Sequence, residues 1–371
     1  MTAPAERVGG GGGVGRHLRV ALLITARDWR GSAAVFAVVA KGLRERGHQA
    51  LALVARAPLR EGFQEEGVPV RQLAIGATGF PEARRTHRAL AEFAAEVVLA
   101  DARRDVRLAA AASLIRPVRI VYCISTPTPP RDPLTRLACR RVSLTVFLTR
   151  RLQTDGIHRL PVLGRRPYRV IYNGVDGATF HPDPAAGRAF RERHGLGDHP
   201  VLLAVGALEP EKHWDELLES LALLPRPVPP LLLRGSGRLE APLRAQAERL
   251  GLDLRILPRL PAADLVAAYN AATCVVHSSP SEPFGLVVAE AMACGRPVVA
   301  VAGGGPEEVL GDTGVIAPPQ DPVAFARHLD ALLTNPDRRA VLGAAARRRV
   351  LERYSVERMQ REHVEAIEAL G

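Results

Sequence analysis

The chain has 371 residues, of which 47% are hydrophobic, so it is long enough for two domains with buried cores. No apolar run reaches the ~18 residues that a membrane span needs. The Gly-rich first residues lack the apolar core of a secretory leader, and the four cysteines form no CxxC pair. We therefore expect no signal peptide and predict a cytoplasmic protein with buried free thiols. The formal net charge is +11, but Lys41 and Lys212 are the only lysines among 50 basic residues, and aromatic residues make up 4%. This composition argues against nucleic-acid binding. It is compatible with a basic face that contacts an anionic membrane.

Strands and helices alternate over the first half of the chain. Its continuous apolar runs are typical of strands buried on both faces of a parallel sheet. The predicted strands cover 18–26, 50–56, 68–73, 96–100, 117–124, 143–148 and 168–172. The predicted helices cover 33–46, 81–95 and 104–114. The Gly-rich residues 1–16 precede the first strand, so we expect a disordered arm; a dinucleotide fingerprint must follow a strand.

The same alternation starts again after a polar, Pro-containing passage that ends near His199 and is predicted to be a linker. The predicted strands cover 200–205, 230–234, 254–257, 274–277, 297–301 and a short one at Ile316. The predicted helices cover 214–224, 239–250, 263–270, 322–333, 338–353 and 355–370, with a short buried one in GLVVAEAMAC. We therefore predict an α/β protein with two doubly wound, Rossmann-like domains, 17–180 and 181–353, that face each other across a cleft. A last helix over 354–371 is expected to return to the N-terminal domain.

Two carboxylates interrupt the apolar stretch 275–302. Glu282 lies in a loop and Glu290 lies inside the short helix. Because a carboxylate is costly to bury without a partner, this pair indicates a polar ligand. The helix that follows Glu282 and contains Glu290 begins with amides that carry the positive end of its dipole, a site suited to phosphate. These are the amides of Phe284, Gly285 and Leu286. Hydroxyl-binding groups beside a phosphate site describe a nucleotide sugar; the alternative is a helix cap and a buried ion pair.

Several segments carry a resemblance to a known family. SEPFGLVVAEAMACGRPVVA resembles the E-x7-E signature of retaining glycosyltransferases with the GT-B fold, in particular glycosyltransferase family 4. AGGGPEEVLGDTGVIAPPQD is similar to the GGxPE loop of that family, and VGALEPEKHWDELLESL to the first strand and turn of its C-terminal domain. The resemblance implies transfer of a hexose-type sugar from a nucleoside-diphosphate sugar to a hydroxyl acceptor. It implies retention of anomeric configuration, in cell-surface glycan, glycolipid or secondary-metabolite glycosylation.

The resemblance also implies roles for single residues. Glu282 would hold hydroxyls of the donor sugar, and Glu290 would bind the ribose of the nucleotide. Lys212 would neutralise charge that builds on the leaving diphosphate, which makes Lys212 and Glu282 the catalytic candidates. The donor-binding set is Gly206, Glu282, Phe284, Gly285, Leu286 and Glu290. No acidic cluster and no DxD motif offers a metal several oxygens, so neither a metal nor a further cofactor is expected.

The acceptor side of the resemblance lies in the N-terminal half. Gly31 and Ser32 match the glycine-rich turn after the first strand, where phosphate and acceptor approach; a plain helix start is the alternative. A histidine that the family often has at the end of a middle strand is missing. The segment VYCISTP offers three replacements, of which Ser125 is our candidate. These are Cys123, Ser125 and Thr126.

One donor-side position also departs from the family pattern. The usual arginine, five residues before the lysine, is replaced by Ala207. One diphosphate contact is therefore missing or comes from elsewhere, and Arg234 and Arg259 are the candidates. The resemblance implies a front-face reaction, in which the leaving phosphate helps to deprotonate the incoming hydroxyl, so catalysis is positioning and electrostatic stabilisation.

Three alternatives belong to other classes. A nucleotide-sugar 2-epimerase has two such halves, although the E-x7-E block and the YNGVD segment favour transfer. A catalytically silent GT-B module that binds a glycan or lipid is suggested by the missing arginine and histidine. A hydride-transferring Rossmann enzyme is disfavoured because no GxGxxG follows either first strand.

Overall fold

The computed structural model describes residues 16–29, 31–76, 79–126 and 132–371. The chain forms two compact units: Met1–Ile171 with Met359–Gly371, and Tyr172–Arg358. The boundaries at 171/172 and 358/359 differ from the expected 180/181 and 353/354. The first difference has a physical cause, because the amide of Val175 donates to the carbonyl of Tyr354 at 2.8 Å and ties this passage to the second unit. The predicted arm lies outside the described residues apart from Arg16.

The first unit contains a parallel sheet. Its strands are β1 (Arg19–Ile24), β2 (Gln49–Val54), β3 (Val70–Gln72), β4 (Val97–Ala100), β5 (Arg119–Ile124), β6 (Val142–Phe147) and β7 (Tyr168–Val170). Among the described residues they form a seven-stranded sheet in the order β3-β2-β1-β4-β5-β6-β7. The helices of this part are α1 (Gly31–Glu45), α2 (Ala57–Glu65), α3 (Phe80–Glu92), α4 (Arg103–Ala112), α5 (Pro133–Cys139) and α6 (Arg150–Arg159). The strand order reverses between β1 and β4, as in doubly wound folds.

The second unit repeats this architecture. Its strands are β8 (Leu202–Val205), β9 (Leu231–Arg234), β10 (Leu254–Leu257), β11 (Cys274–His277), β12 (Val298–Val301) and β13 (Val315–Ala317). Within residues 172–358, all described, they form a six-stranded parallel sheet in the order β10-β9-β8-β11-β12-β13. The helices are α7 (Pro184–Arg193), α8 (Trp214–Ala222), α9 (Glu240–Leu250), α10 (Ala262–Ala271), α11 (Leu286–Ala293), α12 (Gly305–Leu310), α13 (Pro322–Leu333) and α14 (Pro336–Arg353). Strand order reverses between β8 and β11.

The predicted strands are confirmed, and several helices were not predicted. The unpredicted helices are α2, α5, α6, α7 and α12. Each of the first four buries few side chains, so its apolar period is weak; α7 buries only Gly187 and Phe190. The passage that we predicted as a linker therefore contains a helix. Its start is fixed by Asp183, whose carboxylate accepts from the amides of Ala185 and Ala186.

The last helix, α15 (Val356–Glu368), confirms the expected return of the C-terminus, because Met359–Gly371 belongs to the first unit. Three of its apolar side chains are at most 2% exposed: Met359, Val364 and Ile367. Glu368 accepts from Arg46 at 2.9 Å and lies 3.0 Å from Nε2 of His48. The side-chain amide of Gln360 donates to the carbonyl of Val38.

Two further expectations concern composition. The four cysteines are free and buried, as predicted. In the described part of the chain, none of the helices is both long and apolar enough to cross a membrane.

Candidate active site

The second unit gathers polar residues at the carboxyl edge of its sheet. Parallel sheets bind ligands there, beside the point where strand order reverses. Gly206 directly follows β8, and Ser278 and Ser279 directly follow β11. The hydroxyl of Ser278 donates to the carbonyl of Lys212 at 2.6 Å, and that of Ser279 to the carbonyl of Glu211 at 2.8 Å. These bonds hold the 3-10 turn Pro210–Lys212 at the carboxyl ends of β8 and β11, where the strand order reverses.

Lys212 and Glu282 form an ion pair. Their side chains are 20% and 19% exposed, so both are reachable from solvent while much of their water has been removed. The next residue, His213, has a left-handed backbone with φ 52° and directly precedes α8. A side chain on Gly206 would meet the ring of Trp214 at 3.0 Å and would come within 3.7 Å of the Lys212 side chain. The two catalytic candidates from the sequence are therefore in direct contact.

The start of α11 lies under a glycine-rich loop. Gly285 has φ +91°, and a side chain there would also meet the Pro306 ring at 2.8 Å. The amide of Gly305 donates to the carbonyl of Glu282 at 2.7 Å, and the amide of Gly303 donates to the Glu307 carboxylate at 3.1 Å. Phe284 is 2% exposed. The side chain of Phe284 therefore belongs to the hydrophobic core, whereas its backbone is part of the segment that leads into α11.

Glu290 lies on α11 and has a defined partner. The hydroxyl of Tyr269 donates to its carboxylate at 2.7 Å. Burial raises the pKa of Glu290 to about 7, although the Tyr269 hydrogen bond and the charge of Arg234 act to lower it. The carboxylate is thus poised between its neutral and charged forms near neutral pH. Such a shifted group beside a cation is typical of functional sites.

Two buried nitrogen atoms in this region have no hydrogen-bond partner among the described residues: Nε of Arg234 and Nε2 of His277. Arg234 ends β9 beside β8, where its carbonyl accepts from the amide of Gly206 at 3.0 Å. His277 ends β11; burial lowers its pKa to about 4, and Lys212 contributes while Glu282 acts in the opposite direction. Unpartnered buried polar atoms in a native fold require an explanation, and a polar ligand supplies one.

The first unit has its own polar group at the carboxyl edge of its sheet. Asp101 directly follows β4, and the hydroxyl of Ser125, after β5, donates to it at 2.7 Å. The hydroxyl of Ser32, in the first turn of α1, also bonds to Asp101. Burial raises the pKa of Asp101, and these two hydroxyls oppose that rise. Gly31, the first residue of α1, is exposed.

A second carboxylate, that of Asp105, interacts electrostatically with Asp101. Asp105 is fully buried and accepts from the amide and the hydroxyl of Thr25 at 3.1 and 2.5 Å. The amide of Ala102 donates to it as well. Burial nevertheless raises its pKa to about 7. Asp105 therefore fixes the end of β1 against the start of α4, and it leaves Asp101 as the accessible carboxylate of this edge.

The structure brings together part of what was expected and adds three residues that were not. Within the second unit, Lys212 meets Glu282, and Gly206 supports them. Within the first, Ser32 and Ser125 both bond to Asp101. The sequence analysis did not identify Asp101, Tyr269 or His277, and it named Arg234 only as one of two candidates for a diphosphate contact. Asp101 and His277 could have been found, because each stands at the carboxyl end of a predicted buried strand.

Comparison with known proteins finds a family match over part of the chain. Residues 188–349 match the family described as glycosyl transferases group 1. A D-inositol 3-phosphate glycosyltransferase of Xylanimonas cellulosilytica is 43% identical over 190 residues, which are 48% of this chain and 46% of that protein. A GDP-mannose-dependent alpha-(1-6)-phosphatidylinositol monomannoside mannosyltransferase of Mycolicibacterium smegmatis is 37% identical over 194 residues, 49% of this chain and 51% of that protein. The chain thus spans about half the length of the curated relatives it matches.

Solved structures extend the likeness to the whole fold. Anabaena HepE in complex with UDP-glucose has a TM-score of 0.84 at 23% identity, with 95% of this chain and 100% of that chain covered. WaaG, a glycosyltransferase involved in lipopolysaccharide biosynthesis, has a TM-score of 0.73 at 17% identity, with 94% and 99% covered. At such identities the likeness establishes the fold, which is the predicted GT-B class of paired Rossmann-like domains. The chain carries, over residues 188–349, a domain of the glycosyl transferases group 1 family.

Proposed function

We propose that this protein is a glycosyltransferase that moves a sugar from a nucleoside-diphosphate sugar to a hydroxyl acceptor with retention of anomeric configuration. One observation carries the proposal: within the second unit, two carboxylates and two cations lie around the start of α11 at the carboxyl edge of the sheet. They are Glu282, Glu290, Lys212 and Arg234. A nucleotide sugar has hydroxyls for the carboxylates and a diphosphate for the cations.

The proposed roles divide this group along the donor. Glu290, held by Tyr269, binds the ribose hydroxyls. The diphosphate lies against the first amides of α11, which have no acceptors within the helix. Lys212 exchanges part of its contact with Glu282 for a phosphate oxygen, and Glu282 then accepts from hydroxyls of the sugar. Arg234, with its unpartnered Nε, is the candidate for the contact that Ala207 does not make.

The proposed reaction needs no covalent intermediate with the protein. The acceptor oxygen forms a bond to the anomeric carbon, and the bond from that carbon to the diphosphate oxygen breaks on the same face. The acceptor proton passes to the departing phosphate oxygen. The charge that builds on the diphosphate is offset by Lys212 and by the helix amides, which act in a partly desolvated site. No metal ion is part of the proposal.

The acceptor is proposed to bind through the first unit. Asp101 is a half-buried carboxylate at the carboxyl edge of that sheet, and Ser32 and Ser125 orient it. Such a group accepts a hydrogen bond from a hydroxyl of a polyol or sugar. The names of two relatives, which concern inositol phosphate and phosphatidylinositol mannoside, make inositol derivatives the first acceptors to try. GDP-mannose and UDP-glucose are the first donors, on the names in the same comparisons.

A thermal-shift screen followed by turnover tests the proposal. UDP, GDP, ADP and their sugars are added to the full chain, and release of nucleoside diphosphate is measured with and without hydroxyl acceptors. We expect one nucleoside diphosphate to raise the Tm of the wild type and to raise that of Glu290→Ala much less. Equal shifts in both proteins would overturn the ribose assignment. Binding without release from any donor would favour a silent GT-B module, and epimerised sugar nucleotide without acceptor would favour an epimerase.

A further inference from the structure

Exposed apolar side chains concentrate on one helical layer of the first unit. Eight large apolar side chains are strongly exposed among the described residues, and five of them belong to the layer formed by α3, α4 and α5. The five are Phe80, Leu114, Ile115, Leu134 and Leu137. Single exposed apolar residues need no explanation, but a concentration of them indicates an interaction surface.

Contacts between α4 and α5 place four of these side chains along one pair of helices. Nε of Arg107 donates to the Thr135 hydroxyl at 2.7 Å near the start of α5, and Nε of Arg141 donates to the Ser113 hydroxyl at 2.9 Å beyond its end. The two helices therefore run alongside each other in the same direction. Leu114 and Ile115 follow Ser113 directly, so they lie beside the C-terminal end of α5.

The outer side of α5 mixes leucine and arginine. Leu134 and Leu137 are 63% and 60% exposed, and their spacing of three residues places them on the same side of the helix. Arg136 and Arg140 are exposed between and after them, while Thr135, Ala138 and Cys139 are buried. We name this surface the α4–α5 face, defined as Leu114, Ile115, Leu134, Leu137, Arg136, Arg140 and Arg141.

The charge around this surface is mainly positive. The segment 103–141 contains nine arginines and two aspartates, with no lysine or glutamate. One aspartate, Asp105, is fully buried beneath the sheet edge. The other, Asp132, caps α5 through the amide of Thr135 and pairs with Arg107 at 2.6 Å. Both carboxylates are thus buried or paired, and the α4–α5 face carries net cationic charge around an apolar centre.

We propose that the α4–α5 face binds the surface of an anionic lipid bilayer. Leu114, Ile115, Leu134 and Leu137 enter the headgroup region, and the arginines meet lipid phosphates while their methylene stems cover the apolar boundary. A protein partner is less well matched, because the centres of protein interfaces are enriched in aromatic residues, and the α4–α5 face contains none. The inference goes beyond the proposed sugar transfer and does not depend on it.

Co-sedimentation of the full chain with vesicles tests the inference. The vesicles are phosphatidylcholine with or without phosphatidylglycerol. We expect binding to the anionic vesicles only, and weaker binding at high salt. Leu134→Ser with Leu137→Ser lowers the vesicle affinity at least about tenfold. Arg136→Gln with Arg140→Gln lowers it roughly 30-fold, at about 1 kcal/mol for each cation.

The matched control removes exposed aliphatic side chains elsewhere. Leu223→Ser with Val341→Ser, at positions 54% and 68% exposed in the second unit, keeps wild-type vesicle binding. Two results would overturn the inference: a wild type that ignores anionic vesicles, or face variants that bind as well as the control pair. A wild-type dimer that Leu134→Ser with Leu137→Ser converts to a monomer would assign the face to a second copy of the chain instead. No donor is present, so failure of the transferase proposal leaves this outcome unaffected.

Discussion

Lys212 is the residue on which the proposed chemistry depends most. Replacing it with alanine removes the charge that offsets the leaving diphosphate, so we expect kcat/KM to fall by about 10²–10³. The chain supplies a matched control, since Lys41 is its only other lysine and pairs with Glu66 at the surface. Steady-state kinetics should show near-wild-type turnover for Lys41→Ala. Similar losses in both variants would point to a general effect on folding.

Glu290 predicts a pH dependence for nucleotide binding. Its pKa is raised to about 7, so the fraction of charged carboxylate grows as pH rises from about 6 to 8. Because the charged form is the better acceptor from ribose hydroxyls, nucleoside-diphosphate affinity should rise through this window. Stability changes in the opposite direction: the folded state binds the extra proton between pH 4.5 and 7, so ionisation of this group lowers the free energy of unfolding.

Calorimetric titration of the nucleotide at several pH values tests this dependence. Glu290→Gln cannot ionise, and its affinity should be weaker and flat with pH. A wild-type profile that stays flat while the variant binds equally well would mean that Glu290 does not contact the nucleotide.

Asp101 allows the two sides of the proposed reaction to be separated. Asp101→Asn removes the charge but keeps the shape, so we expect kcat/KM for the acceptor to fall about 100-fold. Hydrolysis of the donor in water should remain near wild type, because the donor groups belong to the second unit. Ser125→Ala, which removes one hydrogen bond to Asp101, should lose about tenfold or less. Equal loss of transfer and hydrolysis would contradict an acceptor role.

The strands could be predicted from the sequence because a strand buried on both faces is a continuous apolar run, and such runs have few other interpretations. The short helices lacked that signal, but two of them carried another. Asp132–Pro133 and Asp183–Pro184 begin α5 and α7 in the same way as Asp321–Pro322 begins α13. An aspartate cap followed by proline at the first helical position marks a start whatever the apolar period.

The part of the candidate site that lies within one short segment could be predicted from the sequence, and the part that other segments contribute could not. Glu282 and Glu290 are eight positions apart, and a local motif contains both. Tyr269 and Arg234 reach Glu290 from other segments, and only the sheet order brings those segments together. No local pattern indicates that Lys212 and Glu282 touch, since they lie 70 positions apart in the chain.

The cap of α7 supports a stability prediction. Asp183 accepts from two amides at 3.1 and 2.9 Å, so Asp183→Ala leaves the first turn of α7 without its acceptor. We expect the free energy of unfolding to fall by about 1 kcal/mol. Urea unfolding gives this value directly. Asp312→Ala, at a side chain 91% exposed, should change it by less than about 0.5 kcal/mol, and an equal loss in the two variants would exclude capping as the cause.

At the scale of the whole molecule, the first unit is not one continuous segment, because the last residues of the chain, Met359–Gly371, belong to it. Truncation after Arg358 removes Met359, Val364 and Ile367 from that core, at a cost of about 2 kcal/mol each. The ion pairs of Glu368 are partly exposed, at 42% and 33% for Arg46 and Glu368, and contribute about 1 kcal/mol or less. We therefore expect truncation to destabilise the first unit severely, and Glu368→Gln to destabilise it little.

The two tryptophans can report this difference unit by unit. Trp29 belongs to the first unit and packs edge-on against Phe63 at 5.1 Å, while Trp214 is buried in the second. In the truncated chain, a Trp214→Phe background should show unfolding at much lower urea than its full-length counterpart. A Trp29→Phe background should show an almost unchanged transition for the second unit. If both fluorescence transitions move by the same amount, the two units do not unfold separately, and the stability that α15 confers belongs to the chain as one cooperative whole.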